Sequence, residues 1–475
     1  MSFIKFQNVV LNNSDANTLE ISGNFSLGSS VNYSNYIKIG PWNIKSVGSG
    51  VLDPTFGNNG IIDTDFSMNY SISTSLVIDK KNNIIIGGSE FNNDNASYAF
   101  AKYLPTGQLD TTFGNQGVVI TDLSNDIYFF NGFFNGPIIF NKIIAIDSNN
   151  NIIFSGTVGE QGDYHVVLAR YDENGNIDTN FGSSGYVLTD FSGNDSSQEF
   201  SVQVDLSDNI VVAGLDTDSN GNNYYALAKY LPTGIIDLTF GNEGFIVSNF
   251  SGNDNSSALS LVIDKQNNIV VAGVNNESYA FSKYSSSGNL IRTIVTNFDY
   301  SGDYSSAFSV AIDQQNNIII GGVQFNNLNS DYNYALAKYD QNGDIIISFG
   351  DNGTIIADFS NNNYSLGLSV VVDLQNNIII GGFSDGLYAL AKYSQYGDLD
   401  TDFGNSGSIV TSYSANPSFS FVNSLAIDEH NNIFVSGYEA HYPDINYGIA
   451  KYFNSANLVA QLGDNGPSYS MIFKY

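Results

Sequence analysis

The sequence predicts an all-β fold: a single closed β-propeller of four-stranded blades. Three observations predict it. A Leu-Asp-x-Thr-Phe-Gly mark recurs along the chain. Between marks, short runs of Ile, Val, Tyr and Phe are bounded by Gly, Asn and Asp, the signature of strands and hairpins. No segment carries a capped stripe of 3.6-residue period. The recurrence is too long for a β-helix coil, and four strands in about 55 residues suit a propeller blade.

The mark stands first as Val51-Leu52-Asp53-Pro54-Thr55-Phe56-Gly57. It returns as Leu109-Asp110-Thr111-Thr112-Phe113-Gly114, then around Phe181, Phe240, Phe349 and Phe403. A degenerate copy is Leu462-Gly463-Asp464-Asn465-Gly466. In the unit after the first mark, residues 60–66, 75–79, 84–88 and 98–103 read as first, second, third and fourth strands. The second strand ends in Asp79, Asp147, Asp205, Asp264, Asp313, Asp373 and Asp428. The fourth ends in Tyr103, Tyr171, Tyr230, Tyr284, Tyr339, Tyr393 and Tyr452.

Seven units therefore fill residues 41–466 of one domain spanning 1–475. Residues 1–40 hold three strand-like pieces that match the second to fourth strands of a unit. Residues 467–475 match a first strand. Joined, they would make an eighth blade shared by the two termini, and closure of this kind removes exposed sheet edges. Eight blades is the expectation, with seven the alternative.

Composition narrows the function classes. The 475 residues carry a formal net charge of −31, which disfavours nucleic acid and anionic membrane surfaces as partners. Cysteine is absent, so there is no disulfide, thiolate metal site or thiol nucleophile. No run of about 18 apolar residues exists, and membrane insertion is not expected. No signal peptide is read at residues 1–7.

The recurrent polar residues admit two readings each. Lys102, Arg170, Lys229, Lys283, Lys338, Lys392 and Lys451 precede the strand-ending tyrosines. They form either a ring of cations for an anionic ligand or structural partners of the repeat aspartates; presence in every unit favours the second. The aspartates ending the second strands should accept N–H bonds within the following turn. The glycine that closes the third strand (Gly214, Gly273) should permit close backbone approach. The Phe of each mark should plug between blades, with Gly supplying φ > 0. The first strands end in a polar series that includes Asp65, Asp122, Asp190 and Asp358. If first strands line the channel, these carboxylates ring its mouth and could draw calcium, an oxygen-seeking cation. Asp216, Asp218 and Asn220 match the start of a calcium loop, but Leu227 stands where its bidentate Glu belongs.

Departures from the repeat are the other candidates. The longest insertion carries Tyr128, Phe129, Phe130, Phe133 and Phe134, aromatic residues that would mark a partner-binding loop over residues 124–141 if exposed. Residues 439–444 are irregular, and the unit after Tyr284 has lost its Phe-Gly mark. Three histidines leave little room for a nucleophile–base pair, and no catalytic residue is assigned.

The Leu-Asp-x-Thr-Phe-Gly marks, the Asp-x-x-Asn-Asn-Ile turns and the Ala-Lys-Tyr strand ends together resemble the delta-60 repeat family across residues 50–465. The resemblance implies a propeller, no established reaction, no carried-over catalytic residue, and an extracellular or particle-surface setting. The functional expectation is a non-catalytic scaffold for protein interaction or self-assembly. A carbohydrate-binding module is the first alternative, and a metal-assisted hydrolase or lyase at the channel mouth is the second.

Overall fold

Branched and aromatic runs form strands here because such side chains pack well on a pleated surface buried on both faces. The computed structural model describes residues 42–64, 70–92, 95–121, 142–160, 163–191, 196–250, 255–276, 278–296, 298, 305–326, 331–358, 365–414, 419–441 and 444–455. It also describes the strands Gln7–Asn12, Glu20–Asn24, Tyr36–Ile39, Asn457–Leu462 and Ser470–Phe473. Among the described residues every regular element is a strand, and no helix long and apolar enough to cross a membrane is present.

Seven four-stranded antiparallel sheets of one pattern follow in chain order. The first is built from Tyr70–Ile78, Ile84–Asn92, Asn95–Tyr103 and Val118–Thr121. The second is Ile144–Ile146, Ile152–Glu160, Asp163–Tyr171 and Tyr186–Thr189. The third is Ser196–Val204, Ile210–Thr217, Asn223–Tyr230 and Phe245–Ser248. The fourth is Ser256–Ile263, Ile269–Asn275, Ser278–Tyr284 and Leu290–Thr296. The fifth is Ser305–Ile312, Ile318–Asn326, Asp331–Tyr339 and Thr354–Ala357. The sixth is Ser365–Val372, Ile378–Ser384, Leu387–Tyr393 and Ser408–Thr411. The seventh is Phe419–Ile427, Ile433–His441 and Asp444–Phe453, completed by Val51–Leu52 and Ile61–Thr64.

This order corrects one expectation. The first strand of each sequence unit does not line the channel. It pairs with the last strand of the preceding unit and is the outer edge of that sheet. The strand before the turn aspartate is innermost, and these inner strands meet from sheet to sheet. Leu261 N donates to Ser201 Oγ (3.2 Å), Val310 N to Ser260 Oγ (3.3 Å), Val370 N to Ser309 Oγ (3.0 Å) and Leu425 N to Ser369 Oγ (3.1 Å). Leu76 N donates to Ser424 Oγ (3.1 Å) in the same way, linking the inner strands of the seventh and first sheets. Sheets neighbouring through their first strands, each with an outer edge strand, define a β-propeller.

The eighth sheet differs from expectation too. Tyr36–Ile39 and Trp42–Val47 pair with Asn457–Leu462 and Ser470–Phe473. That sheet takes two strands from residues 36–47 and two from residues 457–473.

Each junction between sheets is an apolar core. Phe154 and Val167 of the second sheet pack with Phe100 and Ile85 of the first, and the pattern repeats around to Phe434, Tyr447 and Ile449 of the seventh against Leu76, Ile84 and Ile86 of the first. The inner strands share a β-bulge, for example between Ala258 and Ser260, and between Ala307 and Ser309. The bulge brings a carbonyl onto the neighbouring strand where only glycine fits. A Cβ on Gly214 or Gly273 would stand 1.9 Å from the Gln198 oxygen or 1.8 Å from the Ser257 oxygen. The close approach is therefore within a sheet.

Candidate functional site: the two ends of the propeller

Antiparallel strands place four kinds of connection at two ends. The inner-to-second turns and the third-to-outer loops share one end. The second-to-third hairpins and the outer-to-inner crossovers share the other.

The first end is built from the repeat residues. Asp264 Oδ1 accepts from Gln266 N (2.9 Å) and Asn268 N (2.8 Å), and its Oδ2 from Asn268 Nδ2 (2.9 Å). Lys283 Nζ lies 2.7 Å from Asp264 Oδ2 and donates to the Gln341 carbonyl of the next sheet (2.9 Å). Lys229 does the same with Asp205 (2.9 Å) and the Ser286 carbonyl (2.9 Å). Lys338 joins Asp313 (3.2 Å) to the Gln395 carbonyl (3.1 Å). Burial pushes the Asp205 and Asp264 carboxyls up, but the asparagine, lysine and backbone donors outweigh it and hold both below the usual range. The lysines thus bolt neighbouring sheets together, as the structural reading expects. Arg170 departs from the rule and pairs with Asp178 at 2.6 Å.

The marks sit at the same end. Phe56, Phe181, Phe240 and Phe403 are fully buried between sheets, and Lys229 stands 5.9 Å over the Phe240 ring. Gly114 N donates to the Asn174 carbonyl of the next sheet (2.7 Å) and Gly182 N to that of Thr233 (2.9 Å), with φ of 53° and 54°. Gly404 N reaches the Ser49 carbonyl (3.0 Å), so residues before the first mark serve the seventh sheet as 174 serves the second.

The second end holds the hairpins and crossovers, residues 439–441 and 444 among them. The aromatic residues Tyr128, Phe129, Phe130, Phe133 and Phe134 lie outside the described residues, as do Asp65 and Asp122. Asp190 is half-buried and Asp358 exposed, both just past outer strands. Ser197 Oγ lies 3.1 Å from Asp190 Oδ1 and 3.1 Å from Asp216 Oδ1. Asp218 caps its own hairpin, accepting from Asn220 N (2.8 Å) and Asn222 N (2.9 Å), which holds its carboxyl low. The loop matched to calcium binding is therefore a hairpin with an Asx turn. Among the described residues no three acidic or histidine side chains gather as a metal site.

One set of residues escaped sequence reasoning. Phe191, Phe250, Phe298 and Tyr413 follow the outer strands directly and are buried in the junction cores. Ser197 Oγ accepts from Phe191 N (3.0 Å), Ser256 Oγ from Phe250 N (3.3 Å), and Glu439 from Tyr413 N (2.7 Å). The signal was present as recurring Asp-Phe-Ser and Asn-Phe-Ser; the carboxylate drew attention from the aromatic beside it.

The fourth sheet lacks its mark. Leu290 and Ile291 are exposed, and a groove of about 850 Å³ runs between Leu238, Val247 and Leu290 at the junction of the third and fourth sheets.

The family described as "Domain of unknown function (DUF5122) beta-propeller" matches residues 82–113, 148–181 and 206–240, the second-to-third hairpins of three sheets with their marks. The chain thus carries propeller-forming repeats. No curated protein matches it. Among solved structures it is similar to the polysaccharide lyase Uly1, at 10% identity and a TM-score of 0.47 over 80% of this chain and 90% of that one. It is similar to the β-propeller domain of the Trilobed protease from Pyrococcus furiosus, at 9% identity and 0.42 over 85% and 96%. A protein of unknown function from Dyadobacter fermentans aligns at 10% identity and 0.40 over 86% and 99%.

Proposed function

We propose that the chain is a closed seven-bladed propeller of the delta-60 repeat kind, one domain acting as a non-catalytic scaffold that binds a protein partner or a second copy of itself. The ring reading rests on the seventh-to-first junction, which uses the serine–backbone bond of the four junctions from the third sheet to the seventh, and on residues 51–64, which complete the seventh sheet. The binding reading rests on the contrast between the ends. At one end the repeat side chains are consumed in joining sheets, so their sequence is held constant. At the other end the connections vary, and the longest carries Phe129, Phe130, Phe133 and Phe134. Clusters of aromatic residues suit interfaces.

The test is the solution mass of the purified chain by light scattering across concentration, for the native sequence and for a variant with those four phenylalanines replaced by Ser. A mass above the 51.4 kDa of one chain that returns to one chain in the variant supports self-assembly. A single-chain mass that captures a partner protein only with the phenylalanines present supports the binding form. Equal behaviour of the two proteins in both assays overturns the reading.

A further inference from the structure

In each sheet that carries a mark, an apolar residue pairs with the strand-ending tyrosine and lies on a glycine of its own mark. Ile236 pairs with Tyr230, Leu109 with Tyr103 and Leu399 with Tyr393. A Cβ added to Gly244 would stand 2.3 Å from Ile236, one on Gly117 2.5 Å from Leu109, and one on Gly407 2.5 Å from Leu399. Leu290 makes the same pair with Tyr284 in the fourth sheet, but no mark follows to cover it. It is 57% exposed.

The uncovered Leu290 lines the groove of about 850 Å³ beside the outer strand of the third sheet. All four residues of that strand, Phe245–Ser248, line it as well, with Leu238 and Glu243 of the third mark. Leu238 is a departure in its own right. Pro54, Thr111, Thr179 and Thr401 hold its place in four other marks, so the mark does not require an apolar residue there. It is 68% exposed. Two leucines with no packing duty in the repeat thus border one open groove.

The strand beside them is the edge of its sheet. Asn242 N donates to the Phe245 carbonyl (2.8 Å) and Phe245 N to the Asn242 carbonyl (3.1 Å), so the turn of the mark takes the edge at Phe245. Backbone groups of an antiparallel strand point alternately to its two sides. The next residue directed to the open edge is therefore Val247, which is exposed. An extended chain laid there adds a strand to the sheet through the Val247 N–H and carbonyl. The charged residues lining the groove are Asp190 and Glu243, both acidic. Acidic groups beside leucines complement a segment that mixes apolar and basic side chains, and they disfavour a second copy of a chain whose net charge is −31.

We propose that this groove binds an extended segment of a partner protein in which apolar residues stand between lysines or arginines. Val247 pairs with its backbone, Leu238 and Leu290 cover its apolar side chains, and Glu243 and Asp190 face its cations. The site uses none of the loop phenylalanines and stands whether or not that loop binds a partner.

The test is fluorescence anisotropy of a labelled Lys-Leu-Val-Leu-Lys peptide titrated with the full chain. Three further peptides each remove one feature. Glu-Leu-Val-Leu-Glu reverses the charge, Lys-Ser-Gly-Ser-Lys keeps the charge without the apolar side chains, and a backbone N-methylated Lys-Leu-Val-Leu-Lys lacks the N–H donors. The first peptide should bind saturably, and the other three about tenfold more weakly or worse. Leu238→Thr combined with Leu290→Ser should weaken the first peptide by a similar factor. Leu238→Thr installs the residue of other marks, and both positions are exposed, so the fold is retained. Glu243→Gln, which copies Gln116 of another mark, should narrow the preference over Glu-Leu-Val-Leu-Glu. Absence of saturable binding, equal binding of Lys-Ser-Gly-Ser-Lys, or binding unchanged in the double variant would each overturn the proposal. A mass of two chains that falls to one in the double variant would overturn it as well, by giving the groove to a second copy.

Discussion

Two buried carboxyls, Asp264 and Glu199, sit in neighbouring sheets and respond to burial in opposite ways. Asp264 lies at the constant end, where Lys283 and the turn donors hold it below the usual carboxylate range. Glu199 lies further up the inner strand of the third sheet, fully buried against the second, and burial pushes it up to about 8, with the Ser155 hydroxyl acting in the other direction. At the matching position the other units carry Ser73, Asn141, Ala258, Ala307, Gly367 and Val422. The difference teaches that burial alone does not set ionisation. The repeat supplies Asp79, Asp205, Asp264, Asp313 and Asp373 with a lysine as well as a turn; Glu199 stands outside that repeated arrangement.

The largest effect should come from breaking the constant end. Asp264→Ala leaves the Lys283 ammonium buried without its partner and strips the turn of its acceptor. The expected loss is about 3–5 kcal/mol in chemical denaturation, since removing one member of a buried pair strands the other charge. Asp53→Ala should cost a similar amount. Asp53 is buried, lies 3.1 Å from Lys451 of the seventh sheet and accepts from Thr55 N (2.9 Å). A silent Asp53→Ala would mean that residues 51–64 do not complete the seventh sheet in solution.

The next effect is a change of sign with pH. Asp264 titrates lower folded than unfolded, so its contribution is present above about pH 4 and lost as pH falls through its folded value. Glu199 titrates higher folded than unfolded. Its contribution is full below about pH 4.3 and is lost as pH rises to about 8, beyond which it stays flat. Glu199→Gln should therefore flatten the decline between those limits and gain on the order of 3 kcal/mol over the native chain at pH 8. Denaturation midpoints for both proteins across pH 4–9 check it. Parallel curves would show that Glu199 is ionised throughout and that burial does not govern it.

What the sequence made legible follows from the same contrast. The turn aspartates, the lysines and the plugging phenylalanines recur in register, and each recurs because it fills the same place at every junction. The position of the strands within a sheet was not legible. A repeat has no phase: cutting the unit before or after Ile61–Thr64 leaves the periodicity unchanged. Only the hydrogen bonds from Ile61–Thr64 to Asp444–Phe453 show that this strand closes the preceding sheet at its outer edge. The same missing phase put the acidic series at the channel mouth.

The smallest effect tests whether a missing repeat residue has been replaced. The fourth sheet has no Phe-Gly mark, and Leu290–Thr296 returns directly from its third strand. Arg292 occupies the place beside Gly343, where an added Cβ would meet its Cδ at 3.2 Å, and it pairs with Asp344 of the fifth sheet at 2.7 Å. Both partners are substantially exposed, so the pair is screened by solvent. Arg292→Ala should cost about 1 kcal/mol or less, and that cost should shrink in high salt if charge carries it. A loss that matches Asp264→Ala would mean that Arg292 works as a buried bolt like the lysines. A small loss that does not respond to salt would instead assign its role to the stem of the side chain packing over Gly343, a steric stand-in for the absent phenylalanine.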